Sequence, residues 1–110
     1  MHSDEPHVDD MTLAAVMAAL SDPIRVTIVR QLAAEGERTC GTFELGISKA
    51  TRSHHFRVLR EAGITHTRAE GTHRHVSLRR EAVDERFPGL LGAVLAAAER
   101  EASALTAVPA

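Results

Sequence analysis

The segment from Ser48 to Leu78 changes its repeat once, at Gly63, and that change limits what the chain can fold into. Ser48-Lys49-Ala50-Thr51-Arg52 opens a stretch of helical period that runs to about Ala62. Ser48 supplies a side-chain oxygen for the first free N–H groups of a helix, and Gly63 stands where a left-handed residue ends one. Phe56, Leu59 and Gly63 share a face with Arg52, while Ala50, Thr51, His54, Arg57 and Glu61 lie opposite. From Ile64 the period shifts toward two. Ile64–Arg68 and His73–Leu78 flank the turn signal Ala69-Glu70-Gly71-Thr72, which predicts a two-stranded hairpin. A lone ribbon is not stable in water, so this one must lean on helices. The expected fold class is mainly α with a small β-hairpin.

Charge concentrates in the same stretch. Ser48–Arg80 holds Lys49, Arg52, Arg57, Arg60, Arg68, Arg74, Arg79 and Arg80 against only Glu61 and Glu70. The segment carries +6 in a chain of net −2, so the remainder carries −8. A basic face on an otherwise acidic protein is the electrostatic footprint of polyanion binding. His54, His55, His66, His73 and His75 lie here too, and add charge at mildly acid pH.

The other elements read as follows. Met11–Leu20 is apolar nearly all round, so a helix there needs cover on several sides. Ser21-Asp22-Pro23 is a helix start, and the next helix runs to Glu35, with Ile24, Ile28, Leu32 and Val29 as its stripe and Gly36 as its stop. Between Gly36 and Gly46, Phe43 and Leu45 predict a short helix of one or two turns. Arg80–Arg86 is a short helical turn, Phe87-Pro88-Gly89 breaks the chain, and a last helix spans Leu90–Leu105.

With 110 residues, no Trp, no Tyr and three Phe, the chain forms one domain with an aliphatic core. The division is an acidic, disordered tip over residues 1–10 and a folded domain over 11–105. The tip lacks the apolar core of a signal peptide, and no apolar run spans a bilayer. The lone Cys40 excludes an internal disulfide and fits a reducing cytosol. The expectation is a cytoplasmic protein without a membrane partner.

The element order is helix, helix, short helix, helix, hairpin, helix. Three strings within it resemble the ArsR-like winged helix-turn-helix regulators. Ala19-Leu20-Ser21-Asp22-Pro23-Ile24-Arg25 with Ile28–Leu32 is similar to the start of their second helix. Leu45 to Ile64 is similar to their turn and recognition helix, and Glu70-Gly71-Thr72 through Ser77-Leu78 to their wing. The resemblance covers about residues 11–105. It implies a homodimeric transcriptional regulator, usually a repressor, on a palindromic operator. It also implies that residues 11–20 and 90–105 form the dimer interface.

Double-stranded DNA is the expected partner. A recognition helix enters the major groove with its N-terminal half against base edges, which here is Lys49, Thr51, Ser53 and His54. Arg57, a turn further on, reaches a phosphate or a guanine edge. The free N–H groups at Ser48 and Lys49 face a phosphate. Thr72, His73 and Arg74 form the wing tip, at the backbone or the minor groove. Arg60 is left a pairing role with acids such as Glu61 or Glu35, and Arg79 and Arg80 the end of the ribbon. Arg52 stands where the family usually has an apolar residue. Three roles are open to it: reaching out of the core, pairing with an acid such as Glu44, or widening the basic face.

Many relatives in that family sense metals, through a Cys-x-Cys pair before the turn or through Asp and His on the last helix. Thr39–Glu44 has one thiol, and Leu90–Leu105 has neither His nor Asp, so no metal site and no cofactor is expected. His73 and His75 read as DNA-proximal or solvated, lacking a fourth ligand. His2, Asp4 and His7 form no expected site. Cys40 reads first as a small buried hydrophobe, with a redox switch as its other role. No nucleophile triad, paired carboxylates or phosphate loop argues for an enzyme. The competing class is a winged-helix module that binds protein, which calls for an exposed apolar patch in place of the basic segment.

Overall fold

The architecture follows from where the caps and glycines fall along the chain. A computed structural model describes residues 5–106. Thr12 accepts a hydrogen bond from the Ala15 N–H at 3.2 Å and starts helix α1, Leu13–Ala19. Asp22 accepts from the N–H groups of Ile24 at 2.8 Å and Arg25 at 3.3 Å, with Pro23 at the first position of helix α2, Pro23–Glu35. Burial raises the Asp22 pKa, but those two N–H bonds and the nearby Arg25 guanidinium hold it below its usual value. Helix α3, Lys49–Ala62, lies between the Ser48 cap and Gly63, whose φ of +89° closes it in the left-handed conformation. Helix α4 is Arg80–Arg86 and helix α5 is Leu90–Thr106.

The segment between Gly36 and Gly46 departs from the expected short helix. Arg38–Thr39 forms strand β1, followed by a single 3-10 turn, Cys40–Thr42. Helices of so few residues are poorly stable alone, and Gly41 weakens this one further. The sheet offers its backbone better partners. Strand β2 is Thr65–Glu70 and strand β3 is His73–Leu78, and β1 adds to the outer edge of β3 through Arg38↔Val76 and Thr39↔His75. The expected two-stranded hairpin is therefore a three-stranded antiparallel sheet of order β1-β3-β2. Its strands run to Glu70 and His73, so the turn narrows to Gly71-Thr72. Gly71 has φ +61°, at the loop position where a type II′ hairpin wants glycine. Arg38 fastens the new strand: its guanidinium bonds Gln31, Thr42 O and Glu35 and lies 4.5 Å from the centre of the Phe43 ring.

One core joins these elements. Val16 of α1, Ile28, Val29 and Leu32 of α2, Phe56 and Leu59 of α3, Val76 of β3, Val83 of α4 and Leu91 of α5 are all buried. Phe43 and Phe56 meet edge to face at 5.2 Å, the core's aromatic pair in a chain poor in rings.

The second half of the expected disordered tip is held against the domain. Residues 1–4 lie outside the described residues, and so do His2 and Asp4. Glu5 meets His66 Nδ1 at 2.7 Å and Arg79 Nε at 3.3 Å. Arg79, expected only to end the ribbon, donates from Nη1 to Pro6 O at 2.9 Å and Gly63 O at 3.1 Å. Met11 is buried outside α1, and its carbonyl accepts from Arg86 Nε at 3.0 Å. A many-armed donor and a buried thioether are what composition alone did not reveal in this segment.

Candidate nucleic-acid interface

Helix α3 is amphipathic about a sharp boundary. His55, Phe56, Leu59 and Ala62 are buried, whereas Lys49, Thr51, Ser53, His54 and Arg57 are exposed. At its start the Ser48 Oγ accepts from the Thr51 N–H at 3.2 Å and donates to Thr51 Oγ1 at 2.9 Å. At the far end of the β2–β3 ribbon, Thr72, His73 and Arg74 are exposed.

Helix, wing and β1 edge enclose a cleft of about 650 Å³. Of the nine residues expected at the interface, Lys49, Ser53, His54, Arg57, Thr72, His73 and Arg74 line it. Ser48 and Thr51 do not; they sit beside it at the helix start, bonded to each other.

Three of the eight basic residues of the segment lie outside the cleft, each held by an acid. Arg68 is bound to Glu70 at 2.6 Å and Glu37 at 2.9 Å, Arg79 to Glu5, and Arg80 to Asp84 at 3.1 Å. The hydrogen bond from Arg68 holds the Glu70 carboxyl below its ordinary pKa. The other five, Lys49, Arg52, Arg57, Arg60 and Arg74, all line the cleft, and no acidic side chain lines it with them. Low-dielectric walls around charges of one sign focus the field outward.

Two of those five were not among the expected contacts. Arg52 is half-buried and lines the cleft, as does Arg60. The signal was present: Lys49, Arg52, Ser53, Phe56, Arg57 and Arg60 recur at three- and four-residue steps and form one stripe.

The histidines have separate tasks. His55 is 6% exposed and lies 3.1 Å from Arg25 Nη1, His66 meets Glu5, and His75 Nδ1 lies 3.3 Å from Thr39 Oγ1. His73 and His75 ring centres are 6.4 Å apart. Among the described residues no group of three or more His, Cys, Asp or Glu side chains is arranged to hold a metal ion. Cys40 is half-buried in the cleft wall. Burial pushes its thiol pKa up, against the opposing pull of Arg52, Arg74 and Arg60.

A helix-turn-helix domain family matches residues 20–68. The uncharacterized HTH-type transcriptional regulator YceK of Bacillus subtilis (strain 168) is 42% identical over 86 residues, which cover 76% of this chain and 86% of that protein. The chain belongs to the ArsR-like winged helix-turn-helix transcriptional regulators. A cadmium resistance transcriptional regulatory protein CadC homolog of Staphylococcus aureus is 42% identical over 77 residues, covering 68% of this chain and 64% of that one. The crystal structure of the transcriptional repressor BigR from Xylella fastidiosa superposes with a TM-score of 0.56 at 32% identity, over 68% of this chain and 85% of that one.

DNA is the partner that this winged-helix fold serves, and the relatives are regulators, not enzymes. The protein-binding alternative is not favoured. Leu13, Met17 and Leu105, the exposed large apolar side chains among the described residues, lie on α1 and α5 and not on α3 or the wing. No helix among the described residues is long and apolar enough to cross a membrane.

Proposed function

We propose that this regulator is a cytoplasmic repressor that binds a palindromic operator as a homodimer. The supporting observation is the cleft whose five cationic side chains come from both α3 and the wing, with no acid in its wall. In this reading the N-terminal half of α3 lies in the major groove, with Lys49, Thr51, Ser53 and His54 at base edges and Arg57 at a phosphate or guanine. Ser48 and its neighbouring N–H groups face a phosphate, and Thr72, His73 and Arg74 touch the backbone or the minor groove. Arg52 and Arg60 add charge behind this reading row.

The dimer places α1 and α5 against their copies. Leu13 and Met17 stand one turn apart on α1, 49% and 55% exposed, and Leu105 on α5 is 78% exposed. Burying them removes apolar surface from water and sets two recognition helices one DNA turn apart. Repression is supported by the likeness to BigR, a transcriptional repressor.

Fluorescence anisotropy on the DNA upstream of its own gene tests the reading. With six to eight phosphates neutralised per dimer, affinity falls on the order of 10³-fold between 50 and 200 mM salt. A nearly salt-independent affinity, or equal affinity for random duplex, overturns it.

A further inference from the structure

Arg25 does more than begin α2. Its guanidinium makes three bonds to three directions. Nε donates to Ala19 O at 2.7 Å and Nη2 to Ala18 O at 3.3 Å, both at the C-terminal end of α1. Nη1 reaches His55 Nδ1 at 3.1 Å, on the buried face of α3. One side chain of α2 therefore joins the last turn of α1 to the recognition helix.

The chemistry of the contact fixes its direction. A guanidinium has five donors and no acceptor, so in this contact Arg25 Nη1 donates and His55 Nδ1 is the acceptor. A carbonyl end of a helix is the electronegative end, which suits a cation there. The Asp22 carboxylate lies near both Arg25 and His55 and offsets the charge. His54, the adjacent aromatic ring, is exposed with its centre 5.7 Å from that of His55.

Position gives this contact its weight. His55 directly follows Ser53 and His54, on the buried side of the part of α3 whose exposed side reads bases in the proposed function. Its other inward neighbours, Phe56, Leu59 and Ala62, pack by non-directional apolar contact, which tolerates small rotations of a helix about its axis. A hydrogen bond does not. We infer that the Arg25–His55 bond is a positioning device that fixes the rotation of the reading helix relative to α1. It thereby couples base reading to the surface carrying Leu13 and Met17. The inference rests on the DNA-binding reading above: Arg25 and His55 act on DNA only through the residues they orient.

The test compares specific with non-specific affinity. The probes are a duplex selected from a random pool by the wild-type protein and a scrambled duplex of equal length. His55→Leu, which keeps a buried apolar body but removes the acceptor, lowers specific affinity roughly tenfold and leaves the scrambled-duplex affinity and its salt slope unchanged. His55→Gln, which retains an acceptor, restores most of the specific affinity. Arg25→Gln lowers specificity as His55→Leu does, and the double variant adds little further loss, because both remove one interaction. Should His55→Leu fail to fold, Arg25→Gln leaves the apolar packing in place and carries the same comparison with His55→Gln. Unchanged specificity in both His55→Leu and Arg25→Gln overturns the inference, as does additive loss in the double variant. A wild-type protein that selects no sequence from the pool refutes the DNA-binding reading instead, so the two failures are distinct.

Discussion

Arg52→Ala and Arg68→Ala remove the same charge from the same basic segment, yet their surroundings predict unequal effects on DNA binding. Arg52 lines a cleft without acids, whereas Arg68 is bound to Glu37 and Glu70. A phosphate contact releases condensed counterions, and each one contributes about 0.9 to the slope of log affinity against log salt. A dimer loses two such contacts with Arg52→Ala, so its slope flattens by about 1.8. Across 50 to 200 mM salt, a fourfold range, the variant's affinity then falls about tenfold less than wild type's. Arg68→Ala leaves the slope within error, because Arg68 is already neutralised and releases no counterion. Anisotropy titrations at four salt concentrations measure both. Equal flattening in the two variants would show that the place of Arg52 in the cleft and the pairing of Arg68 do not govern binding.

Three further outcomes are expected. Gly63→Ala forces a left-handed φ on alanine and places a Cβ 2.8 Å from Met11 Cγ and 3.1 Å from Arg79 Nη1, so it destabilises by about 2–4 kcal/mol. Gly71→Ala, also at positive φ but with open space around it, costs only about 1 kcal/mol, and equal urea midpoints for the two would remove the steric argument. Leu13→Glu with Met17→Glu leaves the fold intact by circular dichroism but yields a monomer in sedimentation velocity; a persistent dimer would move the interface elsewhere. Cys40→Ser leaves DNA affinity within about twofold, since the hydroxyl is small enough for the half-buried site. With its pKa raised, the wild-type thiol is alkylated at pH 7.5 more slowly than free cysteine, and peroxide-dependent DNA release abolished by Cys40→Ser would instead make it a switch.

The recognition helix was legible because its signals are local. Ser48, the apolar stripe and Gly63 each act within a turn or two of helix, and the structure begins and ends α3 beside them. The same holds for Asp22-Pro23 and Gly36 around α2. Strand β1 before Gly46 was missed because its formation depends on partners 36 and 38 residues away in sequence. Thr39 and Arg38 gain ladder bonds from His75 and Val76, a competition that no local window contains. His55 was grouped with a basic, His-rich stretch, although its helical phase puts it inside.

Motif strings carried the resemblance to the family, and sequence alone determined the class of the fold and the location of the basic segment. Those properties rest on periodicity, capping and composition, which are written in consecutive residues. Tertiary structure decided which charges come together. Eight basic residues look alike in a string, but Glu37 and Glu5 reach two of them from other elements, Asp84 holds a third within α4, and five converge on one cleft. Coulomb interactions fall with distance in space, not along the chain. For the same reason only the folded protein could bring Arg25 to His55 and Glu5 to Arg79.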